Sequence, residues 1–351
     1  MSLPQIGYTY LLIYFPIALA APFVGFLNYK IRPSILISLG ILGYALYSLG
    51  MIFVATNFLF YLLQILLGLA ASLFFVSYRR ILIETNPEKP VGSFGWFYSA
   101  PYYAAELAPI IGAILIWRFG FPGVFIISLL IHLANMAFTF LLKTKVETSE
   151  RKTVKESFDN FTKIAKQTLN LPLLPLVTIS FSVLLVGGFY QAFFVLFLKS
   201  IGWNQNTILI YGSIFSLLFL PLSLYGIRLL SQVTINRNIF RGGVLFAVVS
   251  VLFGIIGGSL GFMGILILME TGELGSFIVN AGRSGILSKS FSSYSKETAA
   301  VDTVFSPIGV AFGSMLGGLL IGITGFPILF SIGGVFVLGV SLIAKLKPTA
   351  D

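Results

Sequence analysis

Four ionisable side chains stand inside apolar stretches that are otherwise almost free of charge: Glu106, His132, Glu270 and Glu273. A charge at the centre of a bilayer costs about 2.5–3.5 kcal/mol on insertion scales, so such residues are functional candidates by default. A carboxyl group in low dielectric can be neutral near pH 7, as a proton carrier requires, and when ionised it attracts a cation. Glu106, near the middle of its run between Pro101 and Pro109, is the leading candidate for this chemistry. It lies about 200° round a helix from Ala104 and Ala108, and whether it faces a cavity or a neighbouring helix is left open. Glu270 and Glu273 stand one turn apart on one face, and Asn280 follows on the same face. His132 titrates near neutrality, although a lone histidine is more often a buried hydrogen-bonding group. Gln64, Tyr190 and Gln191 are neutral polar residues suited to lining a cavity. Arg283 and Asp302, near the ends of their runs, read as a surface ion pair, with a gate-type pair as the alternative.

Other chemistries have little support. The chain has no cysteine and one histidine, which excludes disulfides, thiolate metal sites and any multi-histidine metal site. No nucleophile–base pair and no phosphate-binding loop stands out. The expectation is therefore a protein that is not an enzyme and needs no cofactor, with gradients rather than ATP as its energy source.

The elements that must position these residues follow from composition. Of 351 residues, 57% are apolar and 10% charged, against about 25% charged in an ordinary soluble domain. The implied solvent is lipid. Apolar runs of about 20 residues or more occur at 7–27, 34–54, 57–78, 92–117, 122–142, 172–198, 207–227, 239–258, 262–282, 297–320 and 325–345. They lack period-2 alternation, so an all-α membrane protein with eleven transmembrane helices is expected. Every second loop is basic: of the 22 Lys and Arg residues, all but Arg118 and Lys199 fall on one side. The positive-inside rule makes that side cytoplasmic, the C-terminus included. The net charge of +10 is thus a topology signal and not a sign of nucleic-acid binding. Expected partners are the bilayer, a small-molecule substrate and protons. A monomer in the plasma membrane is expected, with the oligomeric state left open. Between residues 143 and 171, Val154, Phe158, Phe161 and Ala165 at helical spacing suggest a short helix on the cytoplasmic leaflet, with a mobile linker as the alternative.

The chain also repeats. Gly120-Phe121-Pro122 with Phe125 recurs 205 residues later as Gly325-Phe326-Pro327 with Phe330. The same shift carries four of the first five runs onto runs of the second half, and the first run lands within a few residues of its counterpart. Two related halves result: 1–142, with five helices, and 172–351, with six, joined by a cytoplasmic loop at 143–171. The run 172–198 has no counterpart, so the pattern is that of twelve helices lacking the first. A start further upstream is the preferred explanation, and an eleven-helix variant the other.

On these features the sequence resembles the major facilitator superfamily over nearly its whole length. Helix four is similar to that family's antiporter motif, Gly-x8-Gly-x3-Gly-Pro-x2-Gly-Gly, with Gly95, Ala104, Ala108, Pro109, Gly112 and Ala113 at its positions. Small residues four apart let another helix approach closely, and Gly309, Gly313 and Gly317 form the repeat copy. The loop GFLNYKIRP looks like the family's signature Gly-x-Leu-x-Asp-Arg-x-Gly-Arg: Gly25, Leu27, Lys30 and Arg32 fit, but Asn28 and Tyr29 replace the aspartate pattern. In QILLG, Gly68 fits the family's Arg-x3-Gly proton-transfer motif while Gln64 replaces the arginine, which weakens the usual route of proton coupling.

The resemblance implies a major-facilitator-type bundle of two halves with a central cavity, working by alternating access. The motif in helix four implies export, with a proton gradient as the candidate drive. With no Lys or Arg in the central membrane layer, a cationic or neutral amphipathic cargo fits better than an anion. Two alternatives stand beside export: an uptake permease for a neutral solute such as a sugar, and a degenerate or truncated paralogue that transports nothing.

Overall fold

The computed structural model describes residues 2–85, 89–105, 108–141, 152–170, 173–232 and 235–345. Within them all regular structure is helical: α1 (Leu3–Lys30), α2 (Pro33–Ile52), α3 (Asn57–Thr85), α4 (Pro90–Ala105), α5 (Ala108–Leu141), α6 (Val154–Thr168), α7 (Leu174–Ser200), α8 (Gln205–Gln232), α9 (Ile235–Ile256), α10 (Phe262–Ser290) and α11 (Ser295–Lys345). Short 3-10 turns precede α10 and α11. In lipid each backbone polar group must be satisfied within its own segment, which leaves helices as the only solution for runs of this length. Proline opens α2 and α4, where the missing N–H removes no helical bond.

Two long helices fold back on themselves. Gly120 in α5 has φ 67° and ψ −179°, and Gly325 in α11 has φ 73° and ψ 170°. This backbone region is essentially closed to residues with a Cβ, which explains why the Gly-Phe-Pro sequence sits at both positions. Each half thus contains the same sharp corner at the place the repeat specified. Among the described residues nine helices are long and apolar enough to cross a membrane, α5 and α11 each counted once. The expected run 92–117 falls on α4 and the start of α5, with residues 106 and 107 outside the described ones. Several helices outrun their apolar cores, as α1 does to Lys30 and α10 to Ser290.

The halves meet along two seams. On one, α1 runs antiparallel to α11: a Cβ on Gly7 would press on the Ser314 backbone, and one on Gly25 would lie 3.0 Å from Ala300 Cβ. On the other, α4 packs between α8 and α10, with Val91 against Gly285 and Ile227 against Gly95. Small residues set both distances, because van der Waals packing is what holds helices together in lipid.

The small-residue stripe behaves differently in its two copies. Gly309 and Gly313 admit Leu184 and Leu185 of α7 against the α11 backbone, and Gly317 admits Phe189 and Phe193. In the first half Ala104 and Ala108 are exposed, and a Cβ on Gly112 would meet nothing within 4 Å. The expected close helix approach is therefore made by the second copy and not the first, since no described helix occupies the corresponding seat on α4 and α5. Pro109 instead points toward Gly212 of α8.

Helix α6 is also placed differently from expectation. It begins at a Thr-x-x-Glu capping box: Thr153 N–H donates to Glu156 Oε2 at 2.8 Å, and Glu156 N–H to Thr153 Oγ1 at 3.3 Å. That backbone bond, with the Thr153 hydroxyl, holds the Glu156 carboxyl below its ordinary range. The apolar face of α6 does not lie on lipid alone. Ile164 is buried, and Phe158 packs edge-on against Phe23 of α1 at 5.1 Å. Lys152 Nζ donates to Tyr29 Oη at 3.0 Å, and Asn160 Nδ2 to Glu297 Oε1 of α11 at 3.3 Å. The helix therefore touches both halves at the face that carries the basic loops.

Candidate functional site

A cavity of about 390 Å³ lies at mid-depth, lined by residues of α7 to α11. Its wall is largely apolar and includes five aromatic side chains: Tyr190 and Phe194 from α7, Tyr211 and Phe215 from α8, and Phe246 from α9. Tyr190 is held by stacking on Phe330, with ring centroids 4.5 Å apart. The polar lining groups are Gln191, Ser250, Glu273 and Ser276, and among the described residues no Lys or Arg lines it.

Two hydrogen bonds tie this second-half wall to the first half. Gln191 Nε2 donates to Tyr14 Oη of α1. Tyr102 Oη of α4 donates to Glu273 Oε1 of α10 at 2.5 Å. Glu270, one turn from Glu273, is only 6% exposed, and among the described residues neither of its carboxyl oxygens has a hydrogen-bond partner. A buried carboxylate without partners is costly.

The cavity is closed off from the basic face by successive polar layers. First comes Asn280, whose Oδ1 accepts from Ser180 Oγ at 3.4 Å and whose Nδ2 donates to Ser276 Oγ at 3.3 Å. Beyond it, Arg283 and Asp302 form an ion pair (Nη2–Oδ1 3.0 Å) with both side chains 1% exposed. The expected surface pair is in fact buried. Arg79 of α3 reaches the other Asp302 oxygen at 3.5 Å and donates to Thr303 Oγ1 at 2.9 Å, so the cluster joins the two halves. Tyr98 Oη accepts from Arg79 at 3.2 Å and from Arg283 at 3.3 Å. The outermost layer is Tyr29, which donates to Glu297 at 2.5 Å, and Arg80, which donates to the Asn28 main-chain oxygen at 2.5 Å.

Of the residues chosen from sequence, the structure brings Tyr190, Gln191 and Glu273 together at the cavity, with Glu270 one turn above and Asn280 below. Gln64 is buried in α3, donating to Phe60 O at 3.3 Å, and does not line the cavity. His132 packs its ring 5.6 Å from Tyr44 between α2 and α5, also away from it. Glu106 lies outside the described residues. In the loop motif, Gly25 packs on Ala300, Leu27 joins a buried apolar cluster, Lys30 lies over the Phe26 ring at 4.8 Å and Arg32 is exposed. Where the family's aspartate is missing, Tyr29 makes the cross-half bond instead. Sequence reading missed Tyr14, Tyr29, Tyr98, Tyr102, Arg79 and Glu297. The i,i+4 spacing of Tyr98 and Tyr102 was the one available signal, since it places both on one stripe of α4.

A bundle of membrane-length helices in two halves, with a cavity walled by α7 to α11, has the architecture of a secondary membrane transporter. A sequence model of the Major Facilitator Superfamily matches residues 1–300, and the chain belongs to that family. No curated protein matches it in sequence. Among solved structures it is similar to the human organic anion transporter MFSD10 (TETRAN), with a TM-score of 0.78 at 14% identity over 97% of this chain and 83% of that one. It is also similar to the transporter FucP in the outward conformation (TM-score 0.71, 13% identity, 98% and 89% covered). A variant of the E. coli fucose:proton symporter FucP matches at TM-score 0.70 and 12% identity, with 98% and 90% covered. At these identities the likeness concerns the fold.

Proposed function

We propose that this chain exports a small neutral or cationic amphipathic compound from the cytoplasm by alternating access, with protons moving the other way. The basic loops put their face, and the C-terminus, on the cytoplasmic side of the plasma membrane. Residues 1–142 and 172–351 act as the two moving halves, joined through 143–171. The single observation that carries the reading is a mid-depth cavity with a carboxylate in its wall, sealed from the basic face by the Arg79–Asp302–Arg283 cluster. An apolar wall with five aromatic side chains, one carboxyl and, among the described residues, no basic group suits a cation or a neutral amphipath, because a buried anion would need a compensating charge. Glu273 and Glu270 are the described residues best suited to carry the proton, and Glu106 is the third candidate.

The test is flux in proteoliposomes under an imposed pH gradient. Inside-acid vesicles should accumulate a fluorescent amphipathic cation through molecules whose cytoplasmic face points outward, and Glu273→Gln should abolish the dependence on the gradient. Flux that ignores the gradient in the parent protein rejects proton coupling. The fold likeness to a fucose:proton symporter favours a second reading, uptake of a neutral solute with protons. Co-directional movement of proton and sugar would establish it.

A further inference from the structure

Far from the cavity, α1 keeps one strip largely uncovered among the described residues. Phe15, Leu19 and Phe23 stand four residues apart on it and are all exposed, Phe23 by 57% even though α6 packs against it. Residues at this spacing line one side of a helix. Lys30 is exposed too and lies only about 20° round the helix from Phe23, so the strip ends in a cation at the basic face. From Phe15 to Phe23 it runs about 12 Å, most of the ~15 Å of hydrocarbon in one leaflet.

Helix α6 brings a second cation to the same end. Two contacts fix how it lies. Lys152 Nζ donates to Tyr29 Oη at 3.0 Å, and Phe158 packs edge-on against Phe23 at 5.1 Å. Residues 152 to 158 therefore pass residues 29 to 23 in the opposite direction, which brings Lys155 level with Phe26. The Phe26 ring carries Lys30 Nζ at 4.8 Å from its centroid. Lys155 is exposed and lies about 60° round α6 from Phe158. Among the described residues neither Lys30 nor Lys155 pairs with a carboxylate.

We propose that this is a seat for an anionic phospholipid of the leaflet on the basic face. The headgroup phosphate lies between Lys30 and Lys155, and an acyl chain follows Phe23, Leu19 and Phe15. The seat is separate from the cavity and does not depend on what the cavity carries.

Charge and depth select this occupant. A zwitterionic headgroup brings its own cation to the two lysines and gains less from them. A soluble anion meets the lysines but leaves the apolar strip unused. Little opposes a phosphate here. Residues 1–32 contain no Asp or Glu. Glu297 accepts from Tyr29 and Asn160, and Glu84 from Arg80 and Ser295, so both are engaged elsewhere. On α6, Glu156 lies about 160° from Phe158 and faces away, and Asp159 lies about 100° round, further from α1 than Lys155. Lys166, at about 80°, offsets that carboxylate and leaves this side of α6 basic.

The chain has no cysteine, so a bimane label can be placed at Leu19→Cys on the strip. In a second protein it is placed at Ile255→Cys, exposed near the opposite end of α9. Nanodiscs containing phosphatidylglycerol or phosphatidylcholine with brominated acyl chains report, by quenching, which lipid lies at each label. A lysine near an anionic headgroup contributes a factor of about five, so the label at position 19 should prefer phosphatidylglycerol about 25-fold. The label at 255 should show no preference. Lys30→Gln or Lys155→Gln should each lower the preference about fivefold, and the two together should remove it. Arginine at both positions should keep it, which separates charge from any effect on the fold. Millimolar inorganic phosphate should leave it intact. Equal quenching by the two lipids at position 19, or a preference that survives the double glutamine variant, overturns the proposal. A preference abolished by inorganic phosphate overturns it as well, by assigning the lysines to a soluble anion.

Discussion

Replacing Asp302 with asparagine removes one charge and almost no volume, and its effect can be worked from the geometry. Asp302 serves Arg283 at 3.0 Å within its own half and Arg79 at 3.5 Å across the halves, with Asp302 and Arg283 each 1% exposed. Removing one partner from a buried ion pair costs about 3–5 kcal/mol. Both arginines keep other acceptors: Arg283 still donates to Ser306 at 2.8 Å and Ser180 at 3.1 Å, and Arg79 to Thr303. The lower end, about 3 kcal/mol, therefore applies. Only the Arg79 arm is released to water when the halves separate on the basic face, so about half of the loss, ~1.5 kcal/mol, weighs on the closed form alone, and the open population should rise about tenfold. Ala300 is 1% exposed and sits beside Gly25 on the seam between α1 and α11. In the Ala300→Cys protein, maleimide labelling from the basic face should accelerate about tenfold when Asp302→Asn is added, and Asp302→Glu should largely reverse it. A rate within twofold of the parent would show that the cluster does not hold the halves together, and the description of the closed face would fail.

Further outcomes follow from other contacts. A methyl group on Gly313 would overlap the Leu185 carbonyl whereas one on Gly112 meets nothing; Gly313→Ala should cost about 1–3 kcal/mol, read as a fall in melting temperature in detergent, and Gly112→Ala should leave it unchanged. Glu297→Gln weakens the acceptor shared by Tyr29, Asn160 and Lys152; trypsin cleavage within α6 should speed up about threefold, as for a partly exposed ion pair worth well under 1 kcal/mol. Because Glu156 is held below its ordinary range, its contribution to α6 is complete above the ordinary carboxyl range and disappears as pH falls through the lowered value. Hydrogen exchange over 154–168 should accelerate only at that acid extreme, and Thr153→Ala should abolish the dependence.

Much of the fold was legible because membrane chains obey local rules. Apolar length and the alternation of basic loops depend on composition along one segment, and the Gly120 and Gly325 corners depend on a backbone conformation that only glycine adopts freely. The helix at 154–168 was visible in the spacing of Val154, Phe158, Phe161 and Ala165. Its seat was not, because the partners Phe23, Tyr29 and Glu297 are far away in sequence. The stripes at 104, 108 and 112 and at 309, 313 and 317 look alike as strings, yet one grips α7 and the other grips no described helix.

The candidate site divides in the same way. The sequence by itself determined that Glu270 and Glu273 share a helical face within the membrane, and that basic charge is kept out of the central layer. Only the tertiary structure decided that Glu273 meets Tyr102, that Glu270 has no hydrogen-bond partner among the described residues, and that Arg283 and Asp302 are a buried cluster completed by Arg79. Helical period and insertion energy act within a single segment and can be read from it. A hydrogen bond between α4 and α10, or a charge shared by α3 and α11, depends on how separate helices are brought side by side, and no spacing along the chain encodes that distance.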